Sequence, residues 1–150
     1  MFDLNIMKII ILVQKSILIL KSVKTVKTVI VGESQVGKTW LAMRAFLPNF
    51  DPNTIPEPTI GAVFFEGIFQ IDDNGNSMKF EVWDTAGQEA YKPITPVFFR
   101  NCVIAILVFD VSVKKTIESP DYYVNILHEN EPNCFIAIVG NKIDLHGQRV

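Results

Sequence analysis

Cysteine and histidine are scarce. Two of each among 150 residues are too few and too far apart in sequence for a disulfide framework or a Cys/His zinc centre. Cys102 and Cys134 each lie against an apolar run and read as buried thiols of a reduced compartment. A surplus of one charge is missing as well. Fourteen basic side chains meet 16 acidic ones for a net charge of −2, which excludes a nucleic-acid binder held by bulk positive charge. A membrane-spanning run is also lacking: Ile9–Leu20 is interrupted by Gln14, Lys15 and Ser16, whereas a spanning helix needs about 20 nearly uninterrupted apolar residues. The stretch leads into Lys21–Lys27 without small residues at a cleavage position, which speaks against a signal peptide.

What is present fits one globular domain. Apolar residues make up 49% and charged residues 20% of the chain, enough for a core and against disorder. Charge is unevenly spread, with five Lys and one Asp in residues 1–31 and a net acidic remainder. We read residues 1–23 as an atypical apolar and basic extension. An irregular segment is the favoured reading, and a segment lying on an anionic membrane surface is the other. Residues 24–150 read as the folded domain.

From Lys24 onward strand-like and helix-like segments alternate. Lys24–Lys27 leads into the β-branched run Thr28–Val31, which stops at Gly32. Lys38–Phe46 suits a short helix, and Asn49–Pro58, with three prolines, an extended loop. Ala62–Ile71 and Met78–Trp83 form a hairpin around Asp72–Asn76. Val103–Val111 and Cys134–Val139 are continuous apolar runs, as expected of strands buried on both faces. Lys114–Asn130 between them suits one crossover helix, provided Pro120 falls in its first turn. The expected fold is α/β: an open, mostly parallel sheet with helices on both faces.

Three segments carry chemistry. Gly32-Glu33-Ser34-Gln35-Val36-Gly37-Lys38-Thr39 satisfies the phosphate-loop pattern between a strand and a helix. There, backbone N–H groups and a helix N-terminus cradle phosphate oxygens, Lys38 neutralises charge, and the Thr39 hydroxyl can ligate Mg²⁺. Trp83-Asp84-Thr85-Ala86-Gly87-Gln88-Glu89 sets a carboxylate facing the metal, an N–H at Gly87 for a terminal phosphate, and Gln88 to orient an attacking water. Asn141-Lys142-Ile143-Asp144 offers a carboxylate that accepts two hydrogen bonds from guanine, where adenine would leave it poorly paired. Asn141 supports the base and the loop, and the stem of Lys142 can lie over the ring. All three fall at the C-terminal ends of strands, where an open α/β sheet binds its ligands.

In these motifs the chain resembles the Ras superfamily of small GTPases. It is most similar to the Rab branch through Thr59-Ile60-Gly61-Ala62-Val63-Phe64, and Gly32-Glu33-Ser34 resembles the early-endosomal members. The resemblance implies a P-loop fold that binds GTP or GDP with Mg²⁺ and hydrolyses GTP slowly. Such a protein acts as a molecular switch in vesicle-mediated transport. Thr59 joins Thr39 and Asp84 at the metal, and Asn49–Thr59 and Asp84–Phe99 are the segments released when the γ-phosphate is lost. Implied partners are an activating protein that supplies an arginine, an exchange factor and effectors. The effectors would read an aromatic trio at Phe64, Trp83 and Phe98, for which core packing is the competing reading at Phe64 and Phe98. Phe50 is expected to contact the guanine ring edge-on. Gln35 and Ala90 depart from residues common in the family.

The family continues beyond the Asn-Lys-x-Asp turn through further helices and a strand to a prenylated tail. No Cys lies near Val150, so the expectation is a C-terminally truncated domain that lacks the last strand, the last helices and the lipid anchor. The implied location is cytoplasmic, at the cytosolic face of endomembranes, with no nucleic acid as partner. A degenerate relative that binds nucleotide weakly or not at all, serving as an interaction module, is the alternative. An ATPase stands third, because Asp144 argues for guanine.

Overall fold

A computed structural model describes residues 25–73 and 75–145. The stretch Ile9–Leu20 lies outside the described residues, and so does the choice between its two readings. The described chain forms β1 (Thr25–Val31), α1 (Lys38–Phe46), β2 (Ala62–Gln70), β3 (Ser77–Thr85), a 3₁₀ helix (Glu89–Ile94) and α2 (Thr95–Phe99). It continues through β4 (Ile104–Asp110), α3 (Lys114–Ile117), α4 (Pro120–Asn130) and β5 (Phe135–Asn141).

The strands make one sheet in the order β2-β3-β1-β4-β5. The β2–β3 hairpin is antiparallel, and the other three pairings are parallel. Its turn is closed by the Asp72 carboxylate, which accepts from the Asn76 amide at 3.0 Å. The first described strand, β1, therefore lies at the sheet's centre, and the loops after β1, β3, β4 and β5 gather at one end.

Alternation along β1 and β4 divides the core. Val29, Val31, Ala105 and Leu107 face a cluster closed by Phe99, Tyr123 and Leu127 from α2 and α4. Ile30 and Val108 point to the other face, where Ala42, Leu41 and Phe46 of α1 cover them. Strands buried on both faces read as continuous apolar runs, as β4 does. Helix α1 ends where Leu47 turns extended at φ −100°, ψ 112°, the conformation a residue before proline favours.

Three expectations are corrected. Lys114–Asn130 is not one helix: α3 stops at Ile117, and α4 begins at Pro120, in the first turn of the second helix. A proline there gives up an N–H that has no intrahelical partner anyway. Nor is β5 buried on both faces. It pairs only with β4 among the described residues, leaving Phe135 38% and Ile138 57% exposed. The strand Met78–Trp83 also runs two residues further than its sequence indicates, so Asp84 is held inside the ladder opposite Val63 and Ile30.

Candidate functional site

The loop between β1 and α1 wraps around one ammonium group. Lys38 is buried, and its Nζ donates to the carbonyl oxygens of Gly32 at 2.9 Å and Glu33 at 2.7 Å. Burial outweighs the pull of Asp84 and Glu33 and brings Lys38 down to about 8. The loop holds three residues at positive φ, Gly32 at 145°, Gln35 at 66° and Gly37 at 95°. At Gly37 a Cβ would also collide with the Asn141 Nδ2. Gly87 is equally constrained, since a Cβ there would meet the Lys38 Nζ and the Glu33 carbonyl.

Three oxygen-bearing side chains converge beside this loop. The Thr39 hydroxyl donates to Asp84 Oδ2 at 2.6 Å, the Thr59 hydroxyl reaches the same oxygen at 3.4 Å, and the two hydroxyls stand 2.9 Å apart. Asp84 is fully buried, and its Oδ1 has no hydrogen-bond partner. Burial raises its pKa against the opposing influence of Thr39, Lys38 and Thr59. A buried carboxylate oxygen without a donor calls for a positive partner. One carboxylate with two hydroxyls suits a hard ion such as Mg²⁺, which takes few protein ligands and keeps positions for phosphate and water.

The Asn141–Asp144 segment follows β5. Asn141 Nδ2 donates to the Val36 carbonyl at 2.8 Å, stapling this segment to the phosphate loop across 105 residues of sequence. Lys142, at φ 61°, pairs its ammonium with Asp110 Oδ2 at 2.7 Å. Burial opposes the charge on Asp110, but Lys142 and two hydrogen bonds from Ser112 hold the carboxyl below its ordinary value. Asp144 is exposed at the mouth.

Ser34, Gln35, Gly37, Lys38, Thr39, Thr59, Gly87, Gln88, Asn141, Lys142 and Asp144 line one cleft of about 1340 Å³. Gly32, Glu33 and Val36 stand differently. Gly32 contributes its carbonyl to Lys38, and Val36 is fully buried in the α1-side core. The Glu33 carboxylate turns to Lys92 of the 3₁₀ helix at 2.8 Å. Lys92 Nζ also sits 5.4 Å from the centre of the Tyr122 ring. Gln88 precedes the 3₁₀ helix in extended conformation with its side chain exposed. Phe50 does not reach the cleft wall: it packs edge-on against Trp40 at 4.7 Å, and Trp40 lines the cleft instead.

Phe64, Trp83 and Phe98 form one strip, with ring centres 5.1 Å and 5.7 Å apart. Phe64 is 44% exposed, while Trp83 and Phe98 also pack against the α4-side core. Sequence reasoning missed Asp110, Lys92 and Trp40. Asp110 was findable, because it ends an apolar run as Asp84 nearly does.

A mostly parallel sheet whose crevice holds a phosphate-loop motif, a cluster of metal-type oxygens and the Asn141–Asp144 turn defines a P-loop α/β protein. A model of the Ras family matches residues 27–150, and the chain belongs to that family. Among its relatives, "GTP-binding protein YPT53" of Saccharomyces cerevisiae is 42% identical over 122 residues, covering 81% of this chain and 54% of the relative. "GTP-binding protein ypt5" of Schizosaccharomyces pombe is 40% identical over 132 residues, covering 86% and 61%. "Putative ras-related protein Rab-5B" of Dictyostelium discoideum is 37% identical over 128 residues, covering 85% and 58%. The chain is thus a Rab-like small GTPase by descent, and it spans 54% to 61% of the length of these relatives.

Proposed function

We propose that this chain is a guanine-nucleotide switch, binding GTP and GDP with Mg²⁺ and hydrolysing GTP slowly. The observation that carries the reading is the meeting of Thr39, Thr59 and Asp84 around an unpaired carboxylate oxygen, next to a buried Lys38. Thr39, Thr59 and Asp84 would hold Mg²⁺, which neutralises phosphate oxygens when bound. Lys38 exchanges two carbonyl partners for anionic oxygens, and Gly87 and the loop amides donate to them. Asp144 accepts from the guanine edge, Asn141 fixes its loop to the phosphate side, and Gln88 orients the attacking water. Arg44 lines the cleft but lies six residues along α1 from Lys38, about 9 Å along the helix axis. An arginine from an activating protein is therefore what would raise the rate, by about 10³–10⁵-fold.

Residues 24–150 form the GTPase domain in this reading, with 1–23 as an appended segment. Thr59 and Asp84–Phe99 respond to the γ-phosphate. Effectors read Phe64, Trp83 and Phe98, an exchange factor resets the switch, and the work is vesicle traffic at the cytosolic face of endomembranes. That two relatives are GTP-binding proteins by name supports the nucleotide. Single-turnover hydrolysis of GTP, with and without Mg²⁺, tests the reading. Gln88→Leu is expected to lower the rate about 10- to 100-fold while leaving GDP affinity unchanged. Equal rates in the two proteins would remove Gln88 from catalysis.

A further inference from the structure

The two cysteines, separated by 32 positions, meet in the core beneath α4. Cys102 follows α2, its amide donating to the Phe99 carbonyl at 2.8 Å, and Cys134 directly precedes β5, its amide donating to the Glu131 carbonyl at 3.0 Å. The parallel register sets Ile104 beside Phe135, so both side chains enter the cluster of Phe99, Tyr123 and Leu127. Their sulfurs stand 3.4 Å apart, and both thiols are free and buried, at 5% and 9% exposure. The Cys134 thiol donates to the Cys102 sulfur, while the Cys102 thiol donates to the Ile104 carbonyl at 2.8 Å. A disulfide needs about 2.0 Å between sulfurs, so a shift of little more than 1 Å, shared by two side chains, closes the gap.

We propose that Cys102 and Cys134 are a site of reversible oxidative modification, closing an intramolecular disulfide by exchange with a small organic disulfide. The Cys102 thiolate attacks one sulfur of the reagent, whose S–S bond breaks and releases one organic thiol. The Cys134 thiol loses its proton and attacks the Cys102 sulfur of the mixed disulfide, expelling the second organic thiol. Two protein thiols are oxidised, one organic disulfide is reduced to two thiols, and both protons end on those thiols. Cys102 is the better attacking group. The hydrogen bond from Cys134 lowers its pKa against burial, with help from the Val29 backbone and Lys27. The same bond and burial raise that of Cys134. Access runs through the start of β5, the outer strand of the described sheet, whose end opens at lower cost than its centre. The bridge would pin the entry of the strand whose far end carries Asn141–Asp144.

The test equilibrates the full chain with mixtures of reduced and oxidised glutathione, both in native buffer and in concentrated guanidinium chloride. The samples are acid-quenched, alkylated and weighed intact. The native protein is expected to lose about 2 Da and resist alkylation at both cysteines. Its equilibrium constant should exceed that of the denatured chain by about 100-fold, because the fold already holds the ends of the closed loop together. A native constant equal to or below the denatured one would overturn the proposal, as would a product that stops at glutathione on one cysteine. Cys102→Ala and Cys134→Ala should each abolish the rise in melting temperature on oxidation. A rise that persists in either variant would likewise overturn it. None of these outcomes depends on what the cleft binds.

Discussion

The two ends of the cleft are built to different standards. The phosphate end rests on β1 and β3, in the middle of the sheet, and its charged groups Lys38 and Asp84 are buried and held by several contacts. Lys38 holds two carbonyls, Asp84 is gripped by Thr39, and Gly37 and Gly87 leave no room for a methyl group. The base end hangs from β5, whose outer side is unpaired among the described residues, and is tied in by Asn141 and Lys142. The contrast teaches where binding strength and selectivity reside. Under the proposed function, affinity would come from buried charge at the centre, and choice of base from an exposed carboxylate at the rim.

That contrast can be broken most sharply at Lys38. Lys38→Ala is expected to lower GDP affinity by about 10²–10³-fold, because it removes the buried partner of an anion. Titration with a fluorescent GDP checks this, and the loss should be the same for any base. The sheet should show the same asymmetry in stability. Leu127→Ala, in the central core, is expected to cost about 2–5 kcal/mol, whereas Ile138→Ala on exposed β5 should change stability by less than about 0.5 kcal/mol. Urea unfolding of both variants measures the difference. Comparable losses would show that Ile138 is as well packed as Leu127.

Asp144→Asn should act on selectivity alone. The preference for GTP over ATP should fall by about 10²-fold, with the Mg²⁺ dependence intact. The smallest effect is a pH dependence of the phosphate end. Lys38 sits at about 8 in the ligand-free fold, below the ordinary value expected in the unfolded chain. The unfolded chain therefore binds more protons above pH 8, and stability from this group rises with pH from about 8 until the unfolded lysine also titrates. Phosphate favours the charged form, so GDP binding takes up a proton above pH 8. Affinity should fall by up to about tenfold per pH unit there, and the dependence should vanish in Lys38→Ala.

Much of the phosphate end was legible in the sequence because local rules govern it. A β-branched run, a glycine-bounded loop and a helix start are contiguous, and Gly32–Thr39 folds as that order implies. The hairpin and the parallel sheet followed from periodicity. The losses lie where contacts join distant positions or where neighbours decide burial. No local pattern announces that Glu33 will meet Lys92 or that Cys102 will meet Cys134. The apolar run Cys134–Val139 reads the same whether a strand has one neighbour or two, so the exposure of Ile138 was invisible. Lys114–Asn130 was misread because helical spacing persists across Pro120, while the backbone restarts there. Phe50 fell short of the cleft since the length of the Asn49–Pro58 loop does not set its path.

The most direct test of the central claim is Mg²⁺-dependent binding of a fluorescent GDP to residues 1–150, with GTP and ATP as competitors. The account predicts tight binding that is lost on chelating Mg²⁺ and displaced by GTP but not by ATP. Displacement by both nucleotides alike, or binding indifferent to Mg²⁺, would contradict it.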